Sequence, residues 1–404
     1  MAKRILIYTN HYYPEQFKIN DVVLWLKSLN YNIRVVTCIP NYPLGKFHKG
    51  YNLFNCFTEQ KDNVTINRLP IIPRGNANSF MLILNYLSYY ISCILFTIYL
   101  GLFVKKYDIV LVHHTSPFFI ALNPVLYGCF KKCKKILWDL DIWPETLEAV
   151  NIVKSKYIIS VLKGFVSFIY SFYDKILISS KGLKSTVEKR FNNSIEYFPN
   201  WADKKIEDII VDSKIKFKLP EKKFIIMYTG NIGQSQNFDS LITAIRYFNK
   251  TKNILWVFVG EGRYRKTFMD KLSSENLEQN CLFTGHVESK NIPSYSKFAD
   301  AMFLSLNDNE IFNNTLPAKL QTYMALKKPI IAVLKGEGEK IILDSKCGIV
   351  VNNNDYLSLC KKIETLLKLS KSELFKMGIN GREYYKKYFY SLKRKKQFIK
   401  ILEA

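Results

Sequence analysis

The stretch from Asp308 to Pro329, DNEIFNNTLPAKLQTYMALKKP, decides how this chain is read. An apolar run, Ala299 to Leu306, precedes it and predicts a buried strand that ends in a polar loop. The loop closes at Pro317, a residue suited to the first turn of a helix because its missing N–H has no partner there anyway. Leu320, Tyr323, Met324 and Leu326 then fall at helical spacing. Lys327-Lys328-Pro329 stops the helix before a second strand, Ile330 to Val333. A strand, a polar loop and a helix N-terminus can hold an anion on backbone N–H groups. The same pattern fits an ordinary βαβ unit with a polar turn, and pattern alone leaves both readings open.

Working outward, the second half of the chain repeats this plan. Phe224–Thr229 reads as a strand, and the loop Gly230-Asn231-Ile232-Gly233-Gln234 leads into a helix bearing Phe238, Leu241, Ile242 and Ile245. Leu255–Val259 ends in Gly260-Glu261-Gly262, and Cys281–Thr284 ends in Gly285-His286-Val287. The first half opens with Ile5–Tyr8, a helix carrying Val22, Val23, Leu26 and Leu29, and the strand Ile33–Thr37. Strands at Ile109–Val112, Ile136–Trp138 and Lys175–Ser180 follow. Strands alternating with helices predict parallel sheets with ligands at their carboxyl ends. The loop after the opening strand lacks the glycine-rich dinucleotide fingerprint, which argues against a nicotinamide cofactor. Asp203 to Glu221 is charged and poor in large apolar residues, as a linker would be. Tyr384–Leu402 reads as one aromatic, basic helix.

At 404 residues, two domains are expected. A 48% hydrophobic and 23% charged composition is that of a folded protein. The formal net charge of +25 implies a polyanionic partner: nucleic acid, an anionic membrane surface or phosphorylated substrates. The eight cysteines are scattered without zinc or redox spacing, and no signal peptide precedes Arg4–Tyr8, so a reduced, cytosolic chain is expected. Neither His113 nor His114 has metal-ligand spacing to Cys, Asp or Glu, so no metal is expected.

Phe80 to Val104 carries no charge and is long enough to span a bilayer, which takes about 20 apolar residues. A single span would put strands of one sheet on opposite sides of the membrane, so a full crossing is rejected. What remains is a buried helix or a helical pair dipping into one leaflet, and the second is favoured; Asn85, Ser88, Ser92 and the tyrosines Tyr86, Tyr89, Tyr90 and Tyr99 suit an interface better than a hydrocarbon centre. Lysines beside apolar, aromatic stretches at Gly128–Lys135 and around Tyr157–Phe172 point the same way. An anionic leaflet attracts each nearby lysine or arginine by about 1 kcal/mol.

The Asp308–Pro329 loop resembles the signature loop of retaining glycosyltransferases of family 4, or group 1, and is most similar to their WbuB-like branch of L-fucosamine transferases. Pro317-Ala318-Lys319-Leu320-Gln321 matches that branch's Pro-Ser-Lys-Leu-Gln, Ile39 to Gly45 with Gly50-Tyr51 resembles its opening, and Asp139-Leu140-Asp141-Ile142-Trp143-Pro144-Glu145 is similar to its Arg-Asp-Leu-Trp-Pro-Glu. The resemblance implies an α/β GT-B fold, two Rossmann-like doubly wound domains facing a cleft. Residues 1–203 would form the membrane-facing acceptor domain, 204–378 the nucleotide-sugar domain, and 379–404 a helix crossing back to the first domain. It also implies a UDP-sugar co-substrate and no cofactor. The donor sugar would be an N-acetylated amino-deoxy hexose, moved to a polyprenyl-diphosphate-linked saccharide in O-antigen or capsule synthesis. The enzyme would sit peripherally on the anionic cytoplasmic face of the inner membrane, without nucleic acid.

The chain departs from the family where charge is expected. Asn314 and Thr322 stand at the positions of the two family glutamates, and Asn231 and Gln236 at those of its first-loop arginine and lysine. Lys319 and Arg263 are the candidates to supply the missing cations. The expected donor-binding set is Asn20, Gly230, Asn231, Gly233, Gly260, Gly262, Arg263, His286, Val287, Thr315, Leu316, Pro317 and Thr322; the expected catalytic set is Asp141, His114 and Lys319. Asp141 reads either as a sugar- or nucleophile-orienting carboxylate or as a helix N-cap. Three rivals remain: a non-hydrolysing UDP-sugar 2-epimerase, a nucleic-acid-binding protein, and a catalytically inactive scaffold.

Overall fold

A computed structural model describes residues 3–404 apart from 55–56, 62, 77, 151, 216, 218–222, 251–252 and 354. The chain divides into two compact units, one of Met1–Ser179, Leu183–Phe198 and Phe398–Ala404, the other of Ser180–Gly182 and Pro199–Gln397.

The first unit is built on an eight-stranded sheet in the order β3-β4-β2-β1-β5-β6-β7-β8. Its strands are β1 (Arg4–Thr9), β2 (Asn32–Cys38), β3 (Thr58–Lys61), β4 (Val64–Leu69), β5 (Ile109–His114), β6 (Lys134–Asp139), β7 (Lys175–Ile178) and β8 (Ser194–Tyr197). All neighbours are parallel except the edge pair β3/β4. β1 and β5 are buried nearly end to end, as strands covered on both faces must be.

The second sheet runs β11-β10-β9-β12-β13-β14, wholly parallel. Its strands are β9 (Phe224–Thr229), β10 (Ile254–Val259), β11 (Cys281–Gly285), β12 (Ala301–Ser305), β13 (Ile330–Val333) and β14 (Gly348–Val351). Residues of β9 and β10 alternate between two cores: Ile225, Met227, Leu255 and Val257 on one face, Ile226, Tyr228, Trp256 and Phe258 on the other. The helix Ala318–Ala325 joins the first core through Leu320, Tyr323 and Met324, all fully buried. Each such side chain contributes about 1.5–3 kcal/mol.

The long apolar stretch forms one continuous helix, Ser79–Phe103, rather than the expected helical pair; it is capped by Asn78, whose side chain accepts from Met81 N. By length and composition it could cross a membrane. One face, Asn85, Tyr89, Cys93, Thr97 and Leu100, is buried. Tyr89 donates to Thr9 O (3.1 Å), Tyr8 and Thr97 share a hydrogen bond (2.9 Å), and Asn85 donates to Ile72 O (2.5 Å). Burial raises the Tyr8 and Tyr89 phenols and pushes the Cys93 thiol up to about 12. The opposite face, Phe80, Ile83, Leu87, Ile91, Leu95 and Leu102, is exposed. β1 and β5, which flank this helix in sequence, are hydrogen-bonded neighbours.

Several sequence expectations need correction. Pro317 is the N-cap residue of its helix rather than its first turn, and the polar loop before it contains a helical turn of its own, Glu310–Asn314, capped by Asn309. The expected linker includes the helix Lys204–Glu207, whose Ile206 and Glu207 are buried; 216 and 218–221 lie outside the described residues. The basic tail is two helices, Lys371–Tyr388 and Ser391–Glu403. Glu207 accepts from Tyr385 Oη, Ser391 N and Ser391 Oγ, so a buried carboxylate anchors the break.

Candidate functional site

In the second unit, the loops at the carboxyl ends of β9, β10 and β12 are locked together through backbone. Gly230 N donates to Val259 O (2.9 Å), Ile232 N to Glu261 O (2.8 Å), and Tyr264 N to Ile232 O (3.1 Å). The approach is so close that a Cβ on Gly260 would lie 2.0 Å from Gly230 O, and Gly260 has a φ of +150°. Gly262 packs as tightly on Ile232, and Gly260 bridges to Gly285 just before His286 and Val287. His286 is exposed, whereas Val287 packs on the core. Asn231 and Arg263 are exposed, and the Asn231 amide folds over Gly233.

The signature loop delivers a cation to this floor. Thr315 Oγ1 turns back to Ile311 O (2.7 Å), Leu316 is buried, and Pro317 caps the helix. Lys319 then runs under Gly230, where a Cβ would meet its Cε at 3.0 Å. Its ammonium donates to Gln236 Oε1 (2.7 Å) and lies 5.1 Å from the Tyr228 ring centre. Tyr228 Oη donates to Asn231 O (2.6 Å) and approaches Gln236 Oε1 (3.3 Å). Among the described residues no carboxylate pairs with Lys319, and burial lowers its pKa to about 8. The ammonium therefore occupies the neighbourhood of Gln236, the position where the family resemblance expects a lysine. One turn on, Tyr323 Oη accepts from Thr229 N (3.0 Å) and pins the end of β9, while Thr322 is half-buried beside it.

The three remaining predicted residues lie in the first unit. His114, at the end of β5, is fully buried; its Nδ1 bonds Asp139 Oδ1 (2.7 Å), its Nε2 has no partner among the described residues, and it meets the edge of Phe118. Tyr170 Oη donates to the other oxygen of Asp139. Asp141 is half-buried and accepts from Ser116 N (2.9 Å), while Trp143 Nε1 donates to Ser116 Oγ (2.8 Å). The helix after it starts at Glu145 with Pro144 as its cap, so Asp141 is no N-cap; it ties the β5 and β6 loops together. Asn20 accepts from Tyr13 N (3.1 Å) and donates to Glu15 O (2.7 Å), fixing the loop after β1.

Sequence reasoning placed Gln236 at the family lysine position but not as the acceptor for Lys319, and it overlooked Tyr323 and the set His11, Glu15 and Arg74. Tyr323 stands four residues after Lys319, and His11 four before Glu15, spacings that could have drawn notice. The resemblance marked the position of Gln236, but nothing in the sequence pairs it with Lys319, or Arg74 with His11.

Residues 210–384 match the family described as glycosyl transferases group 1. Over 313 residues the chain is 25% identical to WbjE of Pseudomonas aeruginosa, named as a glycosyltransferase, covering 75% of this chain and 76% of that one. It is 23% identical to WcaI of Escherichia coli, named for colanic acid biosynthesis, covering 80% and 81%. Among solved structures, HepE of Anabaena, in complex with UDP and glucose, superposes with a TM-score of 0.68 at 12% identity, covering all of both chains.

Proposed function

We propose that this chain, a group 1 glycosyltransferase of the GT-B fold, transfers a sugar with retention from a UDP-sugar to a lipid-linked acceptor in the assembly of a cell-surface polysaccharide. The donor is read as an N-acetylated amino-deoxy hexose. The acceptor is read as a polyprenyl-diphosphate-linked saccharide of O-antigen or capsule synthesis, as in the WbuB-like branch. The colanic acid name of WcaI and the UDP in the HepE complex support that direction.

The observation that carries the reading is Lys319. The bond to break leaves a diphosphate anion, so the chemistry consists largely of neutralising that charge with preorganised donors. Lys319 offers an ammonium whose hydrogen-bond acceptor is a neutral amide, beneath a glycine loop that exposes backbone to a ligand. Diphosphate bound there would stabilise the charged form that burial disfavours. Gly230, Asn231 and Gly233 line the approach, with Thr315, Pro317 and Thr322 on the signature side; Arg263 is the second candidate cation. Asp141 is assigned to the acceptor hydroxyl or transferred sugar. His114, buried behind Asp139, is assigned to positioning the loops at the ends of β5 and β6 rather than to contact with substrate.

The protein is read as peripheral on an anionic cytoplasmic leaflet. The exposed face of Ser79–Phe103, together with exposed Tyr157, Ile158, Val161, Phe168 and Phe172, supports immersion in an interface. The hydrogen bonds of the other face to Thr9, Tyr8 and Ile72 would be lost in a span.

Isothermal titration of the full chain with a panel of UDP-sugars tests the donor assignment: saturable binding of UDP and of one amino-deoxy UDP-sugar is expected. No binding of UDP or of any UDP-sugar would sink it.

A further inference from the structure

At the carboxyl ends of β1, β2 and β4, the first unit assembles a polar cluster that the reaction above leaves unused. His11 and Glu15 follow β1, Asn41 and Tyr42 follow β2, and Arg74 follows β4. The Glu15 carboxylate is buried and fully engaged. One oxygen meets His11 Nδ1 (2.6 Å), and the other accepts from Asn41 N (2.8 Å) and Tyr42 N (2.7 Å). Burial lowers the His11 pKa, so the imidazole is neutral: Nδ1–H donates to Glu15, and Nε2 accepts from Arg74 Nη2 (3.2 Å).

Arg74 is thus fixed by a neutral acceptor. Its guanidinium lies between the rings of Tyr42 (5.1 Å) and Tyr86 (5.5 Å), and among the described residues its buried Nε has no partner and no carboxylate pairs with it. The loops holding it are clamped by Gly75 N donating to Gly45 O (2.8 Å); a Cβ on Gly45, at φ +71°, would lie 2.1 Å from Gly75 O. A charge that is always present, oriented by aromatic faces and left with an unsatisfied donor, suits a phosphate, whose oxygens match the guanidinium fork.

What lies beside it narrows the ligand. Tyr86 belongs to the helix Ser79–Phe103, which begins a few residues after Arg74 and has no acidic residue in its first turn. From Phe80 onward its outer face is the exposed apolar stripe of Ile83, Leu87, Ile91 and Leu95. A fixed cation at the head of an apolar stripe matches an amphiphile with an anionic head and a long hydrocarbon chain.

We propose that Arg74, held by His11 between Tyr42 and Tyr86, receives a phosphate of a prenyl-diphosphate acceptor whose chain enters along the stripe of helix Ser79–Phe103. The proposal rests on the lipid-linked acceptor reading above and assigns the residue that recognises its head. It separates two cation roles: Lys319 for the donor's diphosphate and Arg74 for the acceptor's.

The test uses the full chain and farnesyl diphosphate below its micellar concentration, with farnesol, inorganic diphosphate, UDP and phosphatidylglycerol vesicles as the other arms. The wild type is expected to bind farnesyl diphosphate at least about tenfold more tightly than farnesol or inorganic diphosphate. Arg74→Gln should weaken that binding about ten- to a hundredfold, the span of a lost charge-assisted hydrogen bond, with UDP and vesicle binding unchanged. Arg74→Lys, which keeps the charge but not the fork, should lose severalfold, and it decides the matter if Arg74→Gln does not fold. Unchanged farnesyl diphosphate affinity in a folded variant overturns the proposal. So does an equal loss on vesicles, which would make Arg74 a contact for bulk lipid phosphate, or a loss confined to UDP, which would make it a donor contact. Failure of the wild type to bind UDP leaves this readout intact and removes only the donor assignment.

Discussion

Lys319 and Arg74 are two cations set at the carboxyl ends of two parallel sheets, and each is held by a neutral acceptor, Gln236 in one unit and His11 in the other. They differ in what burial can do to them. An ammonium can lose its proton, and desolvation brings Lys319 down to about 8. A guanidinium does not do so, and Arg74 is steered instead by the faces of Tyr42 and Tyr86. The lysine gives a site tuned by protonation; the arginine gives one tuned by shape.

The largest expected break in this comparison is Lys319→Glu, which should lower UDP affinity by more than about a hundredfold. Lys319→Ala should lose about ten- to a hundredfold, from ~1.5–3 kcal/mol for a charge-assisted hydrogen bond. Titration of the folded variants with UDP checks both; wild-type affinity in Lys319→Ala would return this lysine to a packing role. Asp141→Ala sharpens the contrast from the first unit. Turnover should fall roughly a hundredfold, the cost of misplacing a reacting group by about 1 Å, while UDP affinity stays within about twofold. Equal losses in both quantities would put Asp141 among the donor contacts.

The pH dependence comes next. Because the Lys319 pKa is depressed to about 8, the lysine is charged below that pH and neutral above it. UDP affinity should therefore hold level from pH 7 to about 8 and fall by up to about tenfold per unit above it. Lys319→Arg should flatten that profile, since arginine stays protonated; a profile identical to wild type would assign the titration to another group. The smallest effect belongs to the exposed apolar face of the helix Ser79–Phe103. Replacing Ile83, Leu87, Ile91 and Leu95 by Gln should reduce sedimentation with anionic vesicles severalfold while shifting the thermal midpoint by little, because these side chains are exposed already. A cooperative loss of fold would show instead that the face is covered within the protein.

The second sheet was legible almost strand by strand, because continuous apolar runs such as Ile330–Val333, closed by glycine or polar loops, leave little choice but buried parallel strands. The stretch Ser79–Phe103 was legible as helical, but that it forms one continuous helix, and which residues that helix buries, was not. Asn85, Tyr89 and Thr97 turn inward because the free backbone oxygens of Ile72 and Thr9 and the hydroxyl of Tyr8 await them there, while the more apolar Ile83 and Leu87 turn outward. That inverts the rule by which hydrophobicity alone orients a helix.

The candidate site residues divide in the same way. Local spacing was enough to predict the strand, loop and helix that carry Lys319, since a strand end, a proline and a helical stripe are all encoded within one short stretch, whereas the family resemblance singled out the lysine. That its ammonium comes to rest on Gln236, 83 positions earlier, and that Arg74 reaches His11 across 63, depended on which strands became neighbours. Periodicity and turn chemistry act between residues a few positions apart, so sequence determined the elements and the loops that end them. Electrostatic pairing acts through space after the sheets have closed, so only the tertiary structure decided which cations were left without a counter-charge.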